Sequence, residues 1–217
     1  MNNLYSIHMV HPGIYLVKFK DSYKMAMYCL RYQEFYESPS NKFRNKSFTI
    51  FEYMEWYAKK YGSFSYPQDW GGFNFPSYIL TDVYKKGIPD KNLYDEHMLD
   101  IYSHCLKLNG NNNFYMIFSC DNKTTNHEIA HGLFYLNKEY NKKMKDLVKS
   151  LPNDVFLNVK NILKKLGYTP KVYIDECQAY FATGLTNQMS DVLSDTDKVN
   201  YSKKFKKIFN DYNRKKL

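Results

Sequence analysis

Two histidines four residues apart, in His127-Glu128-Ile129-Ala130-His131, constrain this chain more than any other feature. An α-helix advances about 100° per residue, so side chains four apart stand one above the other. That geometry lets both imidazoles grip one metal ion from a single turn, with Glu128 beside them to handle a proton. Six histidines in 217 residues make a chance occurrence of the pattern rare. Read blandly, the same five residues are a solvated polar turn, and the flanking sequence argues against that.

With His127 at the origin of a helical wheel, His131 falls about 40° away and Glu128 about 100° away. Ile129, Leu133, Leu136, Tyr140, Met144 and Leu147 gather on the opposite side as a continuous apolar stripe. The stripe suits packing into a core while the histidines look elsewhere. Apart from Gly132, no Gly or Pro interrupts 127–149, which predicts one long helix. Thr124, Thr125 or Asn126 can cap its start. Thr125 and Glu128 also have capping-box spacing, a structural role that would compete with proton transfer by Glu128. Upstream, Phe114-Tyr115-Met116-Ile117-Phe118 follows an Asn-Gly-Asn-Asn-Asn turn and reads as a strand.

Strand, short polar loop and metal-binding helix follow one another in zincin metallopeptidases. His127-Glu128-Ile129-Ala130-His131 resembles the zincin signature, including the small residue at 130 and the uncharged neighbours. The resemblance covers about 113–184, and the first hundred residues match no family pattern. A hydrolytic zinc site needs a third protein ligand. Metzincins take a third histidine six residues after the second, with an intervening glycine; Phe134 and Asn137 stand at those positions here. The Gly-rich and Glu-Gly-Cys segments of peptide deformylases are also missing. The resemblance is therefore to gluzincins, which take a carboxylate from a later helix.

Downstream, Thr169-Pro170 offers an N-cap and a first-turn proline, and Gly184 can close the helix between them. Within that frame lie Asp175 and Glu176, which point about 100° apart, so only one can face a metal. The resemblance favours Glu176, followed three residues on by the small Ala179. Where the thermolysin group has an Asp four residues after the ligand to orient a histidine, this chain has Tyr180. The second shell must then differ, with Asp175 or a backbone carbonyl taking the His Nδ1–H.

What the resemblance implies is a zinc-dependent metallopeptidase with one Zn2+ per chain, held by His127, His131 and Glu176. Zinc would acidify its water to a pKa of about 7 and polarise the scissile carbonyl, with Glu128 as general base. Tyr180, Tyr173, His97 and His104 are candidates for stabilising the oxyanion. Peptide or protein is the implied substrate. The alternative is a zincin scaffold that has lost turnover and binds, or a chain whose basic tail carries the function; the presence of Glu128 favours the enzyme.

The expected fold is α+β, mostly helical, with a small sheet next to the metal helix. Ile14–Phe19 reads as a strand, and helices are expected near 22–37, 48–61, 77–86, 93–108 and 153–166. The segment 66–76, with two prolines, two adjacent glycines and several aromatics, reads as an ordered loop, either walling a cleft or forming a buried aromatic corner. The Asn109-Gly110 turn is the expected boundary between a helix-rich lobe, 1–110, and a catalytic lobe, 111–217. The chain has no apolar run of the ~20 residues a membrane span needs, and the N-terminus lacks a signal pattern. Cys29, Cys105, Cys120 and Cys177 lack C-x-x-C spacing, which suggests reduced thiols in the cytoplasm. His8 and His11 read as surface groups. Of the net +9, +7 falls in 198–217. Val199, Phe205, Ile208, Phe209 and Tyr212 predict an amphipathic helix there, packed by its apolar face rather than bound to nucleic acid.

Overall fold

A computed structural model, which describes residues 4–214, gives an α+β chain that is mostly helical and carries a four-stranded mixed sheet. Two compact units divide it, one ending at Thr125 and one starting at Asn126. The Asn109-Gly110 turn lies inside the first, where Gly110 closes a helix at φ 75°.

The first unit opens with a hairpin of β1 (Tyr5–His11) and β2 (Ile14–Phe19), turned at Gly13 with φ 76°. A Cβ is disfavoured at that φ, so glycine suits the turn. Helices α1 (Ser22–Glu37) and α2 (Ile50–Tyr61) follow, capped by Asp21 and by a Thr49/Glu52 capping box. The segment expected as a loop is instead a short helix, α3 (Tyr66–Asp69), and a strand, β3 (Gly72–Pro76). The two prolines are tolerated because one sits in the first turn of α3 and the other ends an edge strand. Tyr66, Phe73 and Phe75 are buried, so the segment is an aromatic corner of the core.

Helices α4 (Tyr78–Lys86) and α5 (Leu93–Asn109) lead to β4 (Tyr115–Ser119). The sheet order is β1-β2-β4-β3, with β2 and β4 parallel at its centre. Every residue of β4 is buried, as expected of a strand covered on both faces. The edge strand β1 has no counterpart in the sequence reading. Its exposed Ser6 and His8 break up the apolar run, although Tyr5, Ile7 and Met9 alternate ahead of Pro12-Gly13.

Two buried polar groups stand out in this core. Arg31 donates to Asp95 Oδ1 at 2.8 Å, to Asp90 Oδ1 at 2.7 Å and to the Phe48 carbonyl. Glu34 lies buried beside Ser38, Tyr53 and Tyr66, and burial pushes its carboxyl pKa up to about 7.

The histidine helix, α6 (Asn122–Leu136), crosses the boundary between the units. It is capped earlier than expected. The Asp121 carboxylate accepts from Thr124 N at 2.8 Å and from Thr124 Oγ1 at 2.9 Å. Thr125 sits inside the helix, with its hydroxyl 2.6 Å from both the Asp121 carbonyl and Ser119 Oγ. Thr125 is therefore not the N-cap, and the capping box with Glu128 does not form.

The long helix expected over 127–149 is two helices, α6 and α7 (Lys138–Lys149). Asn137 breaks it at φ −101° and ψ 103° and caps α7, accepting from Glu139 N and Tyr140 N at 3.1 and 2.9 Å. Asparagine competes well for backbone donors, which makes it a poor interior helix residue and a good cap. Helix α8 (Asn153–Lys165) follows, then α9 (Tyr173–Thr183), short α10 (Asn187–Asp191) and α11 (Asp195–Asn213). Helix α9 starts three residues later than the Thr169-Pro170 pair suggests; Pro170 lies in a turn, and Val172 is the N-cap. Gly184 closes the helix at φ 146°.

Helix α11 buries Phe205, Phe209 and Tyr212, spaced four and three apart. Phe205 stacks on Phe181 of α9 at 5.1 Å, and Tyr212 meets Tyr140 of α7 edge-on at 5.4 Å. Val199, expected on that face, is 66% exposed. It lies six residues before Phe205, about 240° away around the helix. All four cysteines are free thiols. Among the described residues, no helix is long and apolar enough to cross a membrane.

Candidate metal centre

Two helices bring the site together, all of its residues lying in the second unit. Helix α6 supplies His127, Glu128 and His131, and α9 supplies Asp175, Glu176, Tyr180 and Thr183. The Nε2 atoms of His127 and His131 lie 3.1 Å apart. Glu176 reaches toward both, with Oε2 at 3.7 Å from His127 Nε2 and Oε1 at 3.6 Å from His131 Nε2. A tetrahedral zinc with ligand distances of about 2.0–2.2 Å separates its ligand atoms by roughly 3.3–3.5 Å. The three side chains stand within a few tenths of an ångström of that spacing and form a group that could hold a metal ion.

The backs of the two imidazoles are held by α9. His131 Nδ1 lies 2.9 Å from Asp175 Oδ1, and His127 Nδ1 lies 3.3 Å from Thr183 Oγ1. The Thr183 hydroxyl donates to the Ala179 carbonyl at 2.7 Å, so it accepts from His127. Hydrogen bonds from both Nδ1 atoms leave the two Nε2 atoms facing one another and the Glu176 carboxylate, so rings without a proton on Nε2 turn lone pairs on each other. Such an arrangement is repulsive without a cation between the groups. Glu176 Oε2 adds to this: it is buried and has no hydrogen-bond partner among the described residues.

The electrostatics point the same way. Burial works against a charge on His131, yet Asp175, Glu176 and Glu128 outweigh it and raise its pKa well above the usual value. Burial pushes the Glu176 carboxyl up, while His131 and His127 hold it below the usual carboxylate range. The cluster is thus short of positive charge, and either a proton on His131 or a metal ion supplies it. Two imidazoles and one carboxylate suit zinc, leaving further coordination positions to water or substrate.

Of the residues singled out from the sequence, His127, His131 and Glu176 converge. Glu128, next to His127 on α6, is 4% exposed and lies within the field felt by His131, Tyr168 and Tyr180. Asp175 sits behind His131 rather than facing both Nε2 atoms. The Tyr180 ring packs on His127, centroids 4.6 Å apart, and its hydroxyl lies 3.1 Å from that of Tyr168. Burial, reinforced by Glu176 and Glu128, raises the pKa of both phenols, so both stay protonated at neutral pH. Tyr173 is buried on α9. His97 and His104 belong to α5 in the first unit, where His97 Nδ1 lies 2.6 Å from the Tyr28 hydroxyl.

Three neighbours were missed. Thr183 lies seven residues after Glu176 and Gln178 three after Asp175, spacings that share a helix face and were readable from the sequence. Tyr168 precedes α9 in an irregular segment, and no local pattern places it. Comparison with protein-family models, with curated proteins and with solved structures finds no match to this chain.

Proposed function

We propose that the second unit is a zinc-dependent hydrolase of gluzincin-like type, most simply a metallopeptidase that cleaves peptide or protein substrates. The observation that carries this reading is the convergence of two Nε2 atoms and the Glu176 carboxylate within 3.1–3.7 Å, each imidazole fixed from behind. His127, His131 and Glu176 would hold one zinc ion per chain. Zinc bound there would supply Lewis acidity, polarising a substrate carbonyl and lowering the pKa of water to about 7.

The protein's own groups do the rest. Glu128 stands one residue from a ligand and is not needed for coordination. Its carboxylate takes a proton from the attacking water and returns it to the nitrogen of the departing amine. Glu128, buried next to a ligand and not needed to bind the metal, favours an enzyme over a binding scaffold. Tyr180, a protonated phenol packed on His127, is the candidate donor to the oxygen that gains charge as the carbonyl is attacked. Tyr168, hydrogen-bonded to it, orients that hydroxyl.

The experiment compares hydrolysis of a peptide library by the wild type, by Glu128→Gln and by the wild type with chelator. Glu128→Gln keeps size and hydrogen-bonding capacity while removing the base. It should retain zinc and lose about 10²–10⁴-fold in rate. Chelation should abolish activity and zinc should restore it. Equal cleavage by wild type and Glu128→Gln would contradict the assignment and leave a binding scaffold as the better reading.

A further inference from the structure

Gln178 is fully buried on α9, and its side-chain amide is spent on three helices at once. Its Oε1 accepts from the Tyr140 hydroxyl of α7 at 2.8 Å. Its Nε2 donates to Asp175 Oδ1 at 3.0 Å and to the Ala130 carbonyl of α6 at 3.4 Å. The same Asp175 oxygen takes His131 Nδ1 at 2.9 Å. Both groups that Nε2 meets are acceptors, so the amide fits in one orientation only, with nitrogen toward Asp175.

We propose that Gln178, braced by Tyr140, is a positioning residue for the metal centre. It fixes the Asp175 carboxylate so that Oδ1 keeps the Nδ1–H of His131 and the Nε2 lone pair faces the metal. Its bond to the Ala130 carbonyl, one residue before His131, sets α6 against α9 at the same point. The proposal rests on the metal-binding reading above. It assigns the line Tyr140, Gln178, Asp175, His131 a function beyond filling the core, because Asp175, a quarter exposed, has its Oδ1 held between His131 and the fully buried Gln178 amide.

The test measures zinc affinity of the purified full chain by competition with a chromogenic chelator. The visible absorption of bound Co2+ serves as a second readout, independent of turnover. Gln178→Met, similar in length but without the amide, should weaken zinc binding about 10–100-fold and change the Co2+ bands. Tyr140→Phe removes one hydroxyl and should weaken it less, about 2- to 10-fold. Gln178 acts through Asp175, so Gln178→Met added to Asp175→Ala should weaken binding no further. Should Gln178→Met fail to fold, Tyr140→Phe alone and combined with Asp175→Ala carries the same comparison. Unchanged affinity in the single variants, or losses that add in the double variant, would overturn the positioning role while leaving the metal site standing. A wild type that binds no zinc would overturn both.

Discussion

Two buried charge clusters, one in each unit, are built from similar parts and finished differently. In the first unit, one guanidinium meets two carboxylates, and all four carboxylate oxygens have donors. Asp95 receives Arg31, the Tyr32 hydroxyl and the Asn92 backbone, and Asp90 receives Arg31 and Ile50 N. In the second unit, two imidazoles meet Asp175 and Glu176 with Glu128 close by, and Glu176 Oε2 has no hydrogen-bond partner among the described residues. Buried polar groups are normally satisfied. A closed network is complete within the fold, whereas one whose lone pairs converge is completed by something the chain does not encode. The contrast separates a structural cluster from a candidate site without appeal to likeness.

The largest expected effect lies in the closed cluster. Arg31→Met leaves Asp95 buried without its cation and should destabilise the fold by about 3–5 kcal/mol, read by urea unfolding, with zinc content unchanged in the folded fraction. Lost zinc without lost stability would break the comparison. Glu34 tests it from another side. It too has a buried unpartnered oxygen, but its hydrogen-bond neighbours are the hydroxyls of Ser38, Tyr53 and Tyr66 rather than imidazoles, so it takes a proton instead of a metal. Its carboxyl sits at about 7 in the fold against an ordinary 4.5. Folding therefore takes up a proton between those values, so stability is full below pH 4.5, falls as pH rises through about 7 and is flat above. The difference corresponds to on the order of 3 kcal/mol. Glu34→Gln should remove this slope and stabilise the protein at pH 8. A slope that persists in Glu34→Gln would place the titration elsewhere.

The open cluster should show the opposite signature. Glu176→Gln removes a buried carboxylate whose charge the two imidazoles offset and whose Oε2 has no hydrogen-bond partner among the described residues, and should cost the metal-free protein about 1 kcal/mol. It should forfeit the roughly 2.7 kcal/mol that zinc at 100 times its Kd gives the wild type. Thermal unfolding with and without zinc reads both numbers; equal zinc stabilisation of the two proteins would remove Glu176 from the ligand set. The smallest effect belongs to the basic helix. Val199→Lys should change stability by less than about 0.5 kcal/mol, because the side chain is already 66% exposed. A large loss would mean that the sequence periodicity, which put Val199 on the buried face, was the better guide.

Local pattern was legible where one signal dominated. Helices α1, α2, α4, α5 and α8 and strand β2 fall within a few residues of expectation, because periodicity dominates there and, at α2 and α5, a capping box and a closing glycine agree with it. It failed where a polar side chain redirected the backbone. Asn137 ends α6 because its amide oxygen caps α7, and a wheel that counts only apolar residues does not register this. Edge strand β1 carries His and Ser outward and so lacks the apolar run of an inner strand. At the site, spacing reached His127 and His131, while the family resemblance pointed to a carboxylate on a later helix and favoured Glu176 over Asp175. The division of labour within that pair, Glu176 toward the Nε2 atoms and Asp175 behind His131, depends on how α6 and α9 cross. Tyr168 and Gln178 owe their roles to that crossing as well.

Metal content is the most direct test of the central claim. Protein exposed to excess zinc and freed of unbound metal by gel filtration should carry one zinc per chain by elemental analysis. His131→Ala and Glu176→Ala should carry little, with circular dichroism confirming that both remain folded. Wild type with no stoichiometric zinc, or variants that hold as much as wild type, would contradict it.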